Sequence, residues 1–541
     1  MQQQPVPQPD LPTGYYKDNF DRLLATVVER YDDLLADEDR DFIAAYQNLS
    51  LPSARLLVRL YTRKGPTFRQ SKLSYAEIPD LDVAVEELTE AKLLDADPEL
   101  SAGEVAQLLT LAELRKLDWV PNPKRPKNEL LVELADWEEV RCASDWQLDE
   151  RLIQPQHWLT LRRLQLLYFG NEYQSLTDFV LSDLGLFQYE DYPLGKANRW
   201  FEHSDELHHH LLIGELKSAV YEAREAGDVD ALAELAEPIL QIDWLGSAKP
   251  RADRLANRLG FRLEQWGEPE LALKLFQTND QPPARERRCR IHYKAERFVA
   301  AQEELDAIRL DPKDATEARF ISRFAPRLAK KLKLKIEPIP APVLSEKNHS
   351  WPQGEGSVEQ QVCARLDDAY WLENLLPLGV FGLIHWQWIF QPVAGAFHHP
   401  FQQAPADLYE PDFLTRRGTS TQQLYGELTE ALARQLITEN WDAKVGRQNP
   451  FVHWGALDKE LVLRAFDALP WDHWLAIFRH LWLDLKRHRA GFPDLFQFTK
   501  NGGRFIEVKG PGDRLQDNQR DWLAVFEQAG IAAEVWYIRY E

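Results

Sequence analysis

Toward the C-terminal end, Gly491-Phe492-Pro493-Asp494-Leu495 is followed at a short interval by Phe505-Ile506-Glu507-Val508-Lys509-Gly510. An acid follows a proline; then acid, apolar residue and lysine follow Asn501-Gly502-Gly503, a combination that closes tight hairpins. Residues 493–499 and 504–509 therefore read as two antiparallel strands. Side chains on a strand alternate between faces, so Glu507 and Lys509 share one face and Val508 points to the other. The hairpin brings Asp494 towards that shared face. Two carboxylates beside one amine can hold a divalent cation and a water, and hard carboxylate oxygens suit Mg²⁺ or Mn²⁺.

The residues after the hairpin extend the pattern. Gly512-Asp513-Arg514-Leu515-Gln516 reads as a helix start, with Asp513 as N-cap and Gln516 three positions on, and Gly530 reads as the stop. Leu515, Gln519, Trp522, Phe526 and Ala529 recur at helical spacing. Gln519 is the polar member of that apolar stripe and needs a partner; a metal-bound water or a neighbouring acid would serve. Residues 531–540 read as a further strand through Val535, Tyr537 and Ile538.

Pro493-Asp494, Glu507-Val508-Lys509 and Gln519, in this order, resemble the PD-(D/E)xK nuclease signature in its VRR-NUC branch. The longer wording, from Glu507 through Gly510-Pro511-Gly512-Asp513-Arg514-Leu515 to Gln519 and Trp522-Leu523-Ala524, resembles the Fanconi-anaemia-associated nuclease family. Pro411-Asp412 imitates the first half alone, with no acid–apolar–lysine run at a suitable distance. The resemblance implies an α/β nuclease domain that hydrolyses DNA with Mg²⁺ or Mn²⁺. Asp494, Glu507 and the Val508 carbonyl would be metal ligands. Lys509 would orient the attacking water or stabilise developing charge, and Gln519 would stand behind them. In that family a glutamate also precedes an apolar helix by a fixed step and completes the metal site. Glu373, thirteen residues before Trp386, fits the step. Glu359 is the second candidate, and Glu355 imitates the wording but lies too far upstream. The family's substrate would be a branched DNA cut near a 5′ flap, with 5′–3′ exonuclease action besides, in repair that includes interstrand crosslinks.

A chain of 541 residues exceeds one ordinary core, so two to four domains are expected. No apolar run approaches the ~20 residues of a membrane span, and Met1-Gln2-Gln3-Gln4-Pro5 has no basic-then-apolar leader. The three cysteines, Cys142, Cys289 and Cys363, are far apart and suggest neither a disulfide framework nor a zinc site. These features suit a reducing compartment: bacterial cytoplasm at the nucleoid, or the nucleus of a eukaryote. The net charge of −22 argues against a general nucleic-acid coat and directs attention to local basic stretches. A monomer is expected.

Expectation for the whole is a multidomain, mostly α chain with an α/β nuclease end. Residues 1–13 are rich in Gln and Pro, and residues 1–100 read as a helical DNA-binding domain. Between Ala54 and Tyr75 stand Arg55, Arg59, Arg63, Lys64, Arg69 and Lys72 with no acid. Arg55, Arg59 and Arg63 are spaced to share a helix face, and Tyr61, Phe68 and Tyr75 are interleaved, a mix that suits phosphates and unstacked bases. The same wording resembles the N-terminal region of the nuclease family. Residues 101–145 resemble a SAP module: a helix with Leu111, Leu114 and Leu117, a loop with Lys124, Arg125 and Lys127, and a helix with Leu130, Leu131 and Leu134.

Residues 146–336 read as helical scaffold, with 235–335 resembling tetratricopeptide repeats. Residues 150–235 read as helical throughout, and His208-His209-His210 as structural or solvated, because adjacent helix positions point to different faces. The last helix of the scaffold carries Arg319, Arg323, Arg327, Lys330, Lys331, Lys333 and Lys335, a further candidate DNA surface. Residues 337–356 read as a proline-rich linker, and 357–541 as the nuclease domain, entered through a capping pattern at Ser357-Val358-Glu359-Gln360. Leu375 to Phe390 reads as a buried helix whose His385, Trp386 and Trp388 belong to the core. Residues 391–470 read as a helical insertion.

Lys486, Arg487 and Arg489 stand just before Asp494 and can hold a phosphate. The position before Gln519, basic in family members thought to pocket a 5′ phosphate, is Asn518 here, so a 5′ phosphate should matter little. Nothing resembles a base reader. Two rival readings are a nuclease-fold protein that only binds junctions and a repeat-based adaptor. The complete set of acids and lysine argues against the first, and the second would place function in the tandem helices.

Overall fold

In the computed structural model, which describes residues 12–176, 179, 187–335 and 344–541, the chain clusters into two units. One comprises Met1–Leu186 with Phe201–Leu207, the other Phe187–Trp200 with His208–Glu541. The glutamine- and proline-rich start falls outside the described residues up to residue 11.

In the first unit, the helix Tyr15–Tyr31 buries Tyr16, Phe20, Leu23, Leu24 and Val27, one face of a helical repeat. Helices Asp37–Gln47, Leu51–Tyr61, Leu81–Glu90 and Trp158–Phe169 complete its helical set. Residues 15–100 and 150–235 are not purely helical, however. Strands β1 (Phe68–Arg69), β2 (Leu94–Asp95) and β5 (Leu152–Pro155) form a small sheet in the order β1-β5-β2, and β3 (Glu99–Ser101) pairs with β4 (Val140–Cys142). Strands of two to four residues carry too little periodicity to register in sequence. Over 101–145 the helix Lys127–Ala135 packs on Ala102–Leu108. The expected first helix over Leu111 to Leu117 is only Leu111–Leu114. The helix forms upstream because Ser101 and Glu104 make a reciprocal cap and Gly103 lets the two helices approach: a Cβ there would sit 3.1 Å from Ala135 Cα.

In the second unit, helices Lys249–Gln265 and Pro269–Phe276, then Ala284–Lys294 and Phe298–Leu310, form successive hairpins, followed by Ala315–Leu332. Gly260 permits the first hairpin, its missing Cβ lying 3.1 Å from the Phe276 ring. Of the neighbouring histidines, His210 Nε2 meets Ser247 Oγ at 3.0 Å and His209 Nδ1 accepts the Leu245 N–H at 3.2 Å, which are packing roles.

The unit closes on a five-stranded sheet in the order β6-β10-β9-β8-β7, built from β6 (Glu346–Trp351), β7 (Ala369–Trp371), β8 (Leu495–Thr499), β9 (Gly502–Lys509) and β10 (Ala533–Tyr540). β10 runs parallel to both β6 and β9, whereas β8 is antiparallel to β9 and β7 to β8. β6 corrects the linker expected over 337–356. Residues 336–343 lie outside the described residues, but Glu346–Trp351 pairs with β10 from Val535↔Glu346 to Tyr540↔Trp351. The strand is held on the sheet by its aromatic residues, His349 lying 4.2 Å from Trp536 ring to ring.

One face of the sheet buries Val362, Leu495, Ile506, Val508, Trp536 and Ile538, with the helix Val358–Cys363 across it. Phe505 faces the other way, onto Trp522 and Phe526 of the helix Asp517–Ala529 and the large core around Leu375–Ile384. The single helix expected from Leu375 to Phe390 is divided at His385 into Leu375–Ile384 and Trp386–Ile389, both largely buried; His385 is a core residue held by the Phe381 carbonyl and Tyr425 hydroxyl. The helical insertion does not stop at 470. Trp471–Leu483 and Leu485–His488 continue it, because Trp474, Phe478 and Leu481 fill the same core.

Candidate active site

The catalytic hairpin forms with a shifted turn. Thr499 pairs with Gly502, so Lys500-Asn501 makes the turn and both glycines lie in β9. Gly502 has φ 110°, and a Cβ on it would stand 2.6 Å from the Ala468 carbonyl oxygen; that carbonyl accepts the Gly503 N–H at 2.9 Å. Only glycine allows this approach.

Glu507 and Lys509 project from one side of β9, as alternation requires. Lys509 Nζ lies 2.8 Å from Glu507 Oε1 and forms an ion pair with it. Glu507 is 1% exposed, and among the described residues its carboxylate has no donor other than the Lys509 amine. Asp494 stands at the mouth of β8, where its Oδ2 accepts the Val508 N–H at 2.8 Å. Its carbonyl accepts the N–H groups of Glu373 at 2.8 Å and Leu372 at 3.2 Å, which brings Glu373 to the same end of the sheet.

Burial lifts the Glu507 carboxyl to about 8; the Asp494 and Glu373 charges add to the rise and Lys509 opposes it. Burial also lifts Asp494 to about 6, with Glu359 and Glu373 adding to it against the Val508 N–H and Lys509. The Glu373 charge thus adds to the rise of both acids, and Glu359 adds more than Glu373 to that of Asp494. Among the described residues no three His, Cys, Asp or Glu side chains are gathered closely enough to enclose an ion. A divalent cation nonetheless fits the donor set. Two buried acids sharing one amine are costly as anions, and an oxygen-seeking cation against Glu507 and Asp494 offsets that cost.

The helix behind the hairpin starts later than its sequence suggests. Its N-cap is Gln516, whose N–H donates to Gln519 Oε1 at 2.9 Å. Gln519 is therefore occupied in capping rather than turned to a metal-bound water. Asp513 caps a different turn: its Oδ2 accepts the Gly510 N–H at 3.0 Å, which holds the chain just after Lys509. Asn518 is packed on Gly491, where a Cβ would meet its Nδ2 at 2.8 Å.

The basic residues divide. Arg59 donates to Glu77 Oε1 at 2.7 Å and lies over the Tyr16 ring. Arg69 bridges Glu113 and Glu150 at 2.6 and 3.0 Å. Arg55 reaches the Thr13 and Glu77 carbonyls at 3.5 Å. These three are tied into the first unit rather than forming an open basic face; the acids that neutralise Arg59 and Arg69 lie outside the acid-free window. Arg63, which donates to Tyr75 Oη at 2.8 Å, and Lys64 and Lys72 are exposed. Arg125 pairs with Glu133 at 3.1 Å and Lys127 reaches the Gln107 carbonyl at 3.3 Å, while Lys124 is exposed.

On the helix Ala315–Leu332, Arg323 pairs with Asp517 at 2.8 Å and Arg319 with Asp521 at 3.3 Å, which straps this helix to the one behind the hairpin. Arg327 and Lys330 are exposed. Near Asp494, Arg487 pairs with Asp484 and Asp314 at 3.3 and 3.5 Å. Arg489 donates to Tyr409 Oη at 2.7 Å, and Lys486 is exposed.

A parallel and antiparallel mixed sheet, with a proline-led acid, an acid–apolar–lysine strand and a helix behind, defines a nuclease domain of the PD-(D/E)xK class. Two family models match the chain: the VRR-NUC domain over residues 428–539 and the FAN1 HTH domain over 14–95. The first match begins inside the insertion, after β6 and β7. The Fanconi-associated nuclease 1 homolog of Pseudomonas aeruginosa is 36% identical over 557 residues, covering 99% of this chain and 98% of its own. The human Fanconi-associated nuclease 1 is 23% identical over 634 residues, covering 97% of this chain and 62% of its own. The crystal structure of paFAN1 bound to DNA with a 2-nt 5′ flap and a gap superposes with a TM-score of 0.86 at 34% identity, covering 98% of this chain and all of that one. The chain belongs to the Fanconi-associated nuclease 1 family, a group of DNA-cleaving hydrolases that work with a divalent metal.

Proposed function

We propose that this chain is an Mg²⁺- or Mn²⁺-dependent endonuclease that incises duplex DNA close to a 5′-flap junction, acting as a monomer in repair that includes interstrand crosslinks. The observation that carries the reading is Glu507: a buried carboxylate beside Asp494 whose donor among the described residues is the Lys509 amine alone. The binding of 1-nt and 2-nt 5′-flap DNA by paFAN1 supports the choice of substrate.

A divalent cation, when bound, neutralises phosphate charge and acidifies a water. Asp494 and Glu507 would hold it, with the Val508 carbonyl as a further ligand and Glu373 as the remote acid. Asp494 presents Oδ1, its Oδ2 being tied to Val508. Lys509 places its amine on the same face, where it orients the attacking water or meets charge developing on the phosphate. Gln519 acts only by capping the helix behind. DNA phosphates are met by Arg63, Lys64, Lys72 and Lys124 on the first unit and by Arg327, Lys330, Lys486 and Arg489 on the second. Cytoplasmic action at the nucleoid follows if the chain is bacterial; among the described residues no helix is long and apolar enough to cross a membrane.

Labelled flap substrates, varied in polarity and 5′ phosphorylation and incubated with Mn²⁺ or chelator, test this. Metal-dependent incision faster on 5′ than on 3′ flaps is expected. Equal cutting of both ends the polarity claim. Tight binding without cutting would mark a junction binder.

A further inference from the structure

Glu373 has φ 37°, a left-handed conformation that side chains with a Cβ adopt only when their surroundings impose it. The surroundings are visible. Its own N–H is bonded to the Asp494 carbonyl, and the next residue, Asn374, makes two side-chain contacts in opposite directions. Asn374 Nδ2 donates to Glu373 Oε1 at 2.9 Å. Asn374 Oδ1 accepts the Phe492 N–H at 3.1 Å. Phe492 stacks on Trp522 at 3.8 Å between ring centroids and leads through Pro493 into Asp494. One half-buried carboxamide therefore joins the Glu373 carboxylate to the segment that carries Asp494.

We propose that Asn374 is a positioning residue that sets the spacing of the Glu373 and Asp494 carboxylates for the divalent cation; this rests on the reading of Glu373 as the remote acid. Glu373 itself is exposed, and an exposed glutamate free to rotate would lose rotamer freedom on every binding event. The Asn374 donor confines it beforehand. The acceptor end ties that donor to the strand entry, so the two acids move together. Partners that orient metal-binding carboxylates in this way change metal affinity when removed.

The test is a double-mutant cycle on the intact chain without DNA, read as Mn²⁺ affinity from the free-ion electron paramagnetic resonance signal. Asn374→Ala is expected to weaken Mn²⁺ binding about tenfold, with melting temperature and chelator-phase DNA binding close to wild type. In a Glu373→Ala background the same change should add nothing, because the carboxylate it positions is gone. A residue that merely supports the loop would lower affinity equally in both backgrounds, and that result overturns the proposal. Unchanged Mn²⁺ affinity in Asn374→Ala beside weakened binding in Glu373→Ala also overturns it and leaves the site reading standing. Unchanged affinity in both would remove Glu373 from the site and the positioning role with it. If alanine unfolds the loop, Asn374→Asp, which keeps the acceptor for Phe492, carries the same cycle: coupling to Glu373 supports the proposal and additivity overturns it.

Discussion

Asp494 Oδ2 accepts the Val508 N–H at 2.8 Å, so one oxygen of the first acid is fixed to the strand that carries the second. This bond sets the depth at which Asp494 sits beside Glu507. It also explains why the hairpin has to be continuous: a slip of one residue would turn Glu507 and Lys509 to the opposite face.

Removing either acid should separate cutting from binding. Asp494→Ala and Glu507→Ala are each expected to slow cleavage by more than ~100-fold, the scale at which a charge-stabilising group acts, while DNA affinity stays within a few-fold. Cleavage time courses beside fluorescence anisotropy measure both. Mutants that retain Mg²⁺-dependent cutting at wild-type rate would refute the site.

Lys509→Ala should reduce turnover by a similar factor with little loss of Mn²⁺ affinity. It also removes the cation that opposes the rise of the Glu507 carboxyl, so the Glu507 carboxyl should move further upward. A carboxyl-labelled infrared titration of the variant reads that shift; no upward movement would contradict the ion pair.

The basic residues of the first unit should fall into two groups. Arg59→Ala breaks a pair with Glu77, whose side chain is 10% exposed, and should cost about 1–2 kcal/mol of stability without flattening the salt dependence of DNA binding. Replacing Arg63, Lys64 and Lys72 together should leave melting unchanged and reduce the salt slope, since phosphate contacts release counterions. Melting curves and binding across a salt series distinguish the groups; a flattened slope in Arg59→Ala would reverse the assignment.

Acid should destabilise the nuclease core through its histidines. His480 and His488 stack at 3.7 Å between ring centroids, beside Trp522. Burial pushes His480 down to about 3, with His488 adding to it, and burial also lowers His488. The unfolded chain, with histidines near ~6.5, binds more protons below that pH. Stability from the neutral pair is therefore full above ~6.5 and lost as pH falls below it. The melting temperature should drop by several degrees between pH 6.5 and 5, and His480→Phe should flatten that drop. An unaltered pH profile in the variant would count against it.

Gly491 has φ 97°, with Asn518 against the place of its missing Cβ. Gly491→Ala should displace the entry to Asp494 and reduce cleavage at least ~10-fold, by misplacing a reacting group, with the sheet intact by circular dichroism. Wild-type cleavage would show that the close approach is dispensable.

What the sequence by itself determined is local. The hairpin, the shared face of Glu507 and Lys509, the Ser357 cap and the Gly530 stop depend on residues within a few positions of each other, where period and cap chemistry act directly. The order of the signature likewise placed Asp494, Glu507 and Lys509 on one structural unit. Only the tertiary structure decided what depends on distant partners. Glu77, Glu113 and Glu150 neutralise arginines from outside the basic window. Gln516 rather than Asp513 caps the helix, because Asp513 holds the Gly510 turn. A stretch that reads as linker becomes β6, because β10 offers it a parallel edge and Trp536 an aromatic neighbour. Asn374 matches no motif in the sequence, and only folding brings Phe492 against it. Hydrogen bonds and ion pairs reward closeness in space, and a linear chain records closeness only along itself.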